Sequence, residues 1–461
     1  MSRPVYLTQE IRRIEQAHAS LPLMERAGAA AAELAASLLT DKGKDALVLA
    51  GPGNNGGDAK VVARLLKEKF HRVAIAEKPD DIPNQTRWNL VVDGLFGIGL
   101  ARPVDGEYAR LVDWINTQAC PVLALDIPSG LDSDTGRALG RAVRATHTVT
   151  FIGLKPGLLT LDGPDHCGEV TVASLGLSPD SASRGWIADP SLFSNVLKPR
   201  PKNFHKGMAG SVAILGGAEG MAGAALLAGR AALKLGAGRV YVGMLEPLAV
   251  DTDAPELMLR HPEDALGLDL DAIVVGPGLG QSERAETLLG AALASDLPCV
   301  LDADALNLIA ENEDLRKACA RCRAETLLSP HPAEAGRLLA ETTAHVQSDR
   351  LKAARALAAN LKAHVVLKGN GSVLVARDGH WFINTSGNAG MASAGMGDIL
   401  AGLLGALLAQ KYSGETALVL GTNLHGCAAD ECVRAGIGPV GLAASELIDA
   451  ARRIWNSWLL R

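Results

Sequence analysis

At 461 residues the chain is longer than one hydrophobic core usually serves, so two domains are expected, each with a substantial interior. Apolar residues make up 48% and charged ones 21%, and the 50 glycines are dispersed, which excludes disordered and collagen-like chains. A net charge of −6 offers no basic footprint for nucleic acid or an anionic membrane, and it points to small-molecule chemistry.

In chain order, residues 7–39 supply two helices, the first with Leu7, Ile11 and Ile14 on one stripe and the second rich in Ala. No hydrophobic signal core precedes them, and a cytoplasmic location is expected. Strand-like runs follow at 46–50, 72–76, 90–96, 121–130 and 147–153, separated mostly by helix-length segments. That alternation predicts a Rossmann-like α/β domain with a parallel sheet covered on both faces. Periodicity lapses across 189–210, where prolines and basic residues crowd, so domains of 1–195 and 200–461 are expected. A second, different α/β series starts at 211 and includes a buried helix at 399–409, too short to span a bilayer. Seven dispersed cysteines, the Cys319/Cys322 pair included, read as inert thiols rather than a disulfide or zinc framework.

The loop GPGNNGGD (51–58) joins the first strand to a helix. Gly51, Gly53 and Gly56 match a dinucleotide fingerprint, with Glu77 where a ribose-binding acid belongs. A plain pyrophosphate cradle uses backbone amides and has no need of Asn54, Asn55 and Asp58. Ligands of open parallel sheets bind beyond the carboxyl ends of the strands, where Asp93 and Asp126, with Ser129 close behind, also fall. Such oxygen-rich convergence suits a hard cation or proton transfer to a polar ring.

LMERAG, GPGNNGGD, VVDGLFGIGL and LDIPSGLDSDTG, in that order over about residues 5–190, resemble the N-terminal domain of the YjeF family, the NAD(P)H-hydrate epimerase. The resemblance implies that Asn55, Asp93 and Ser129 surround a potassium ion. It implies too that Asn54, Asn55, Gly56, Gly57 and Asp58, with Gly97, Ile98, Gly99, Leu100, Ala101, Arg102 and Pro103, contact the hydrated nucleotide, and that Asp126 contacts its damaged ring as the catalytic residue. Ala59, where the family usually has Gly, and a short stretch between Asp58 and Asp93 depart from the pattern.

In the second half, NTSGNAGMASAGMGDILAGLLGALLAQ (384–410) carries Gly387, Gly390, Gly395 and Gly397 ahead of an apolar helix. Their amides are expected to face one anion at the helix N-terminus. Asp398 at that mouth repels a static phosphate but suits removal of a proton from a hydroxyl attacking a phosphoryl group. Lys368 and its Gly-rich turn form a plausible nucleotide clamp. His331 and Glu334, then Gly278, Gly280, Asp302, Asp304 and Asn307, lie at further strand ends.

Over about residues 200–455 this ensemble resembles the ribokinase-like superfamily, specifically the YjeF C-terminal dehydratase. The resemblance implies that Lys368, Gly369, Asn370, Gly371, Ser372 and Gly397 contact the nucleotide, ADP or ATP with magnesium. It implies that Ala224, Gly280, His331 and Asp398 contact the hydrated cofactor, with Asp398 catalytic. Met396 stands where the family usually has Thr. The implied function is repair of hydrated NADH and NADPH by epimerisation and by ADP-dependent dehydration releasing AMP and phosphate, in a homo-oligomer without nucleic-acid or membrane partners. A ribokinase-like vitamin or sugar kinase, which leaves a stable phosphorylated product, is the enzymatic alternative; a scaffold is the non-enzymatic one.

Overall fold

A computed structural model describes residues 3–39, 44–69, 72–83, 87–177 and 183–460. Packing divides the chain into two compact units, one from Arg3 to Trp186 and the other from Ile187 onward. Residues 189–210 include two single-turn 3-10 helices, Pro190–Leu192 and Ser194–Val196, and Phe193 packs on Trp458 with ring centroids 5.4 Å apart.

The N-terminal unit is built on a six-stranded sheet, all neighbours parallel, in the order Arg72–Ala76, Asp45–Ala50, Leu90–Gly94, Val122–Leu125, His147–Phe151, Glu169–Ala173. The strand period of two sends Val48, Val92 and Leu123 to one face and Leu47, Leu49 and Val91 to the other, and both faces are covered. Helices Leu23–Leu38 and Asn54–Glu68 cover the first face, and Gly106–Asn116 covers the second. Ala27, Ala31 and Ala35 recur at helical spacing, letting the two helices of the first face approach closely. A methyl group on Gly28 would stand 2.4 Å from Val61 Cβ.

In the C-terminal unit nine strands run Trp381–Asn384, Ser372–Val375, His364–Leu367, Thr326–Leu328, Cys299–Leu301, Ala272–Val275, Ser211–Gly216, Arg239–Met244, Met258–Arg260. The first three form antiparallel pairs, and the rest are parallel. The apolar run 399–409 lies in the buried helix Met396–Ala409, packed on Ala222–Lys234, where a methyl on Gly402 would sit 2.1 Å from Ala228 O. No helix among the described residues is long and apolar enough to cross a membrane. All seven thiols are free; a hydrogen bond shared with buried Cys299 holds the Cys322 thiol below its usual range, at about 6, and pushes Cys299 up.

Candidate active sites

The fingerprint loop closes for steric reasons. A methyl on Gly51 would lie 1.8 Å from Leu95 O, and one on Gly56 would lie 1.9 Å from Gly51 O, so only glycine lets these backbones meet. Gly53 caps the helix Asn54–Glu68, and no side chain does, which removes a capping role for the asparagines. Asn54 is exposed. Asn55 is buried, and among the described residues neither its amide nitrogen nor its carbonyl oxygen has a hydrogen-bond partner.

Asn55 faces the loop that leaves the neighbouring strand, since a methyl on Gly97 would stand 3.4 Å from its Cγ. In the same place Asp93 is fully buried. Its Oδ1 accepts from Ser129 Oγ at 2.6 Å and its Oδ2 from the Ser129 amide at 2.8 Å; Ser129 Oγ in turn accepts from the Phe96 amide at 2.8 Å. Burial pushes the Asp93 carboxyl up to about 6, against the hydrogen bonds from Ser129 and Leu95. Among the described residues no basic side chain pairs with it. A sealed carboxylate beside an amide carbonyl without a donor leaves negative potential uncompensated. These donors fit a weakly hydrated cation bound by oxygen.

Asp126 follows the strand Val122–Leu125 as a left-handed residue with φ 67°. Its Oδ1 takes the Lys155 ammonium at 2.5 Å, while Oδ2 lies 3.5 Å from where a Gly97 methyl would be. Asp58 on the helix facing it is pushed up to about 8, by burial first and then by the charges of Asp126 and Glu15. Glu15 is raised by burial and by Asp126, with Lys155 and Arg12 opposing. Three carboxyls and one buried ammonium therefore share the mouth of this sheet. Of the 97–103 loop, Gly97, Ile98 and Leu100 are half-buried, and Gly99, Ala101, Arg102 and Pro103 are exposed along its rim. Gly57 packs beside Met24, where a methyl would meet Met24 Cε at 2.6 Å. Glu77 pairs with Lys60 at 2.7 Å on the surface.

In the C-terminal unit, Gly395 (φ 87°) caps the helix Met396–Ala409, again without a side-chain cap, so Asp398 is not a capping residue. The first-turn amides of Met396, Gly397 and Asp398 have no partner within their helix. Half-buried Asp398 stands among Asp302, Asp304 and Lys368; burial and the charges of Asp302 and Asp304 push it up to about 6, against Lys368. Lys368 Nζ donates to Asp302 Oδ1 at 2.8 Å and lies 4.0 Å from Glu334. Burial works against its charge, but Asp302, Glu334 and Asp398 together raise its pKa. A methyl on Gly397 would crowd this pair, 3.2 Å from Lys368 Nζ and 3.3 Å from Asp302 Oδ2.

Gly387 and Gly390 depart from their expected part in the anion hole. The Gly387 amide donates to Asp430 Oδ2 at 2.9 Å and the Gly390 amide to Asn388 Oδ1 at 3.0 Å, so both shape the loop. His331 caps the helix Pro332–Leu339 through Nδ1, which accepts from the Ala333 amide at 3.1 Å; Glu334 returns the bond to the His331 amide at 2.8 Å. Its Nε2 edge is half-exposed beside Glu334. Gly280 (φ 71°) donates to Asp304 Oδ2 at 2.8 Å, and Ala224 faces the same loop, 3.2 Å from where a Gly278 methyl would be. Asn307 instead accepts from Arg337 at 2.8 Å.

The turn holding Gly369, Asn370, Gly371 and Ser372 is closed by Ser372 Oγ, which donates to Gly369 O at 3.0 Å. It is anchored by Arg350, 2% exposed, whose guanidinium donates to Asn370 O at 2.6 Å, Leu367 O at 3.0 Å and Gly371 O at 3.3 Å. Arg350→Ala removes these bonds and leaves a cavity. We expect a loss of roughly 2–4 kcal/mol in stability and about a tenfold rise in KM for the nucleotide, read by thermal melts and initial rates. Sequence reasoning missed Arg350, Lys155 and Glu15. It also missed His425, a buried imidazole pushed down to about 4 by burial and by Lys368; its Nε2 has no hydrogen-bond partner among the described residues.

A family model described as NAD(P)H-hydrate dehydratase matches residues 212–453, and one described as YjeF-related protein N-terminus matches 20–90 and 73–157. The chain is 38% identical over 500 residues to the Bifunctional NAD(P)H-hydrate repair enzyme Nnr of Escherichia coli, covering 98% of this chain and 94% of that protein. It also resembles the crystal structure of the ADP/ATP-dependent NAD(P)H-hydrate dehydratase of Bacillus subtilis, with TM-score 0.53 and 30% identity over 59% of this chain and 98% of that one. A ribokinase-like superfamily protein of Enterococcus faecalis shares the C-terminal fold, with TM-score 0.51 and 22% identity over 60% of this chain and 98% of that one.

Proposed function

The chain belongs to the family of bifunctional NAD(P)H-hydrate repair enzymes, and from that premise we propose how its two sites divide the work. It repairs hydrated NADH and NADPH by interconverting the two epimers of the hydrate and dehydrating the S epimer with ADP as phosphoryl donor. We assign the epimerase to residues 1–195 and the dehydratase to 200–461.

The observation that carries the second assignment is Asp398 at a helix N-terminus that no side chain caps, beside the Lys368–Asp302 pair. Asp398 takes the proton from the ring hydroxyl, whose oxygen then attacks the terminal phosphorus of ADP. The first-turn amides, Gly397 among them, receive the charge that develops on the phosphoryl oxygens. AMP departs, the C–O bond to phosphate breaks, a ring proton is lost, and the dihydronicotinamide returns. Hydroxide is a poor leaving group and phosphate a good one, so the detour through a phosphate ester is what makes the elimination accessible. The Lys368–Ser372 turn holds the nucleotide, while Ala224, Gly280 and the outer edge of His331 contact the hydrated cofactor. Magnesium, where bound with the nucleotide, would neutralise phosphate charge.

In the first site Asp126 faces the damaged ring and assists loss and return of its hydroxyl, with Asn54 to Asp58 and the 97–103 loop contacting the nucleotide. Asn55, Asp93 and Ser129 would hold potassium, which when bound supplies the positive charge that the sealed Asp93 carboxylate lacks. The buried, partnerless amide of Asn55 supports this reading. We further propose a cytoplasmic homo-oligomer; the seven free thiols support a reducing compartment, and light scattering reports the assembly.

The test uses a mixture of both hydrate epimers with ADP and magnesium, followed through the reduced-nicotinamide absorbance. Full recovery is expected. Recovery of only the S fraction would leave the N-terminal domain without its assigned reaction, and a stable phosphorylated product would mark a kinase instead.

A further inference from the structure

Lysine is among the residues least often buried outright, yet the Lys155 side chain is 0% exposed. It follows the strand His147–Phe151 and turns back on the sheet end. Each hydrogen of its ammonium has an acceptor: Asp126 Oδ1 at 2.5 Å, Thr150 Oγ1 at 2.8 Å and Phe151 O at 2.8 Å. Such a charge is tolerated only when it is paired and fully hydrogen-bonded. Asp126 Oδ1 also accepts from the Phe151 amide at 3.3 Å, so that oxygen is occupied from behind. The other oxygen, Oδ2, faces Gly97 and the loop assigned above to the substrate.

We propose that Lys155 is the positioning residue of the epimerase site: it grips one oxygen of Asp126 so that the other meets the ring as a carboxylate. This rests on the epimerase reading of the site. The charge pattern around the pair supports it. Glu15 and Asp58 both feel Asp126 from the elements packed against it, and Lys155, together with Arg12, offsets that charge at Glu15. Without Lys155, three carboxyls would compete for one small space, and Asp126 would keep the longer bond from the Phe151 amide but lose its short ion pair.

The experiment starts from one purified epimer of the hydrate, without ADP so that nothing is dehydrated, and follows the approach to the epimer equilibrium by nuclear magnetic resonance. Lys155→Met keeps the length of the stem and removes the charge. Its kcat is expected to fall about 10²-fold with KM changed by less than about threefold, because substrate contacts remain. Lys155→Arg is not expected to rescue, since a planar guanidinium cannot reproduce three bonds inside a sealed pocket. Lys155→Met combined with Asp126→Asn removes both charges of the pair together, should melt closer to the wild type than Lys155→Met alone, and should be no slower than Asp126→Asn alone. A double variant slower than Asp126→Asn by the full Lys155→Met factor would overturn the proposal, because Lys155 would then act without Asp126. So would a folded Lys155→Met with wild-type kcat. If the wild-type chain itself leaves the single epimer unchanged, the reading of the whole site falls, and the Lys155 proposal falls with it.

Discussion

Asp398→Asn is expected to slow dehydration of the hydrate about 10³-fold or more while leaving epimerisation at its wild-type rate. The substitution keeps the shape of the side chain and the first-turn amides of its helix, and it removes the basic lone pair that takes the hydroxyl proton. Because burial and the neighbouring Asp302 raise the Asp398 carboxyl to about 6, the base is ionised at neutral pH and close to its most effective range. The wild-type rate is therefore expected to hold above about pH 7 and to fall as pH drops through about 6. Single-turnover rates across this range check both statements. An unchanged rate in Asp398→Asn would remove the proposed base altogether.

Asp58→Asn is expected to stabilise the N-terminal unit under alkaline conditions. In the unfolded chain this carboxyl ionises near 3.8, and in the folded protein near 8. A raised folded value means that the folded state binds the proton more tightly. Its contribution to stability is fully present below the unfolded value and is lost as pH rises from about 4 through about 8. Above that range the folded protein holds a carboxylate against burial and against the charges of Asp126 and Glu15. An amide has no such charge to hold. The gain at pH 9 is expected to be roughly 2–4 kcal/mol, shrinking toward zero near pH 4. Thermal melts of both proteins over that range give the difference directly, and equal pH slopes would contradict it.

Much of both sites was legible because a parallel sheet delivers its ligands at one predictable edge. Asp93 and Asp126 close apolar runs, and Asp398 opens one, so sequence alone brings them to strand and helix ends. The glycines at 51 and 56 were legible for the same reason, since close backbone approach admits no alternative. Lys155 was not legible, because its partner Asp126 lies 29 residues earlier and no spacing rule joins them. Arg350 opens the helix Arg350–Leu361 and reads as a surface residue; it is buried because a turn 20 residues later folds over it. The Gly387 amide misleads because nothing local reveals that Asp430, on the helix Gly414–Arg434, takes it, whereas the Gly390 amide turns to Asn388 two residues earlier. The strands Glu169–Ala173 and Met258–Arg260 escaped notice as short edge strands whose exposed positions weaken the apolar signal.

The left-handed backbone at residue 126 bears on how this position can vary. An L side chain with a branched or bulky Cβ carries a cost of order 1 kcal/mol in that conformation, and Asn, Asp and Gly carry the least. Among those three only Asp offers a carboxylate, so the bend of the chain and the chemistry select the same letter independently. Drift away from acid at this site is thus steered first toward asparagine or glycine, and a silenced descendant of the domain would keep its shape while losing its reaction.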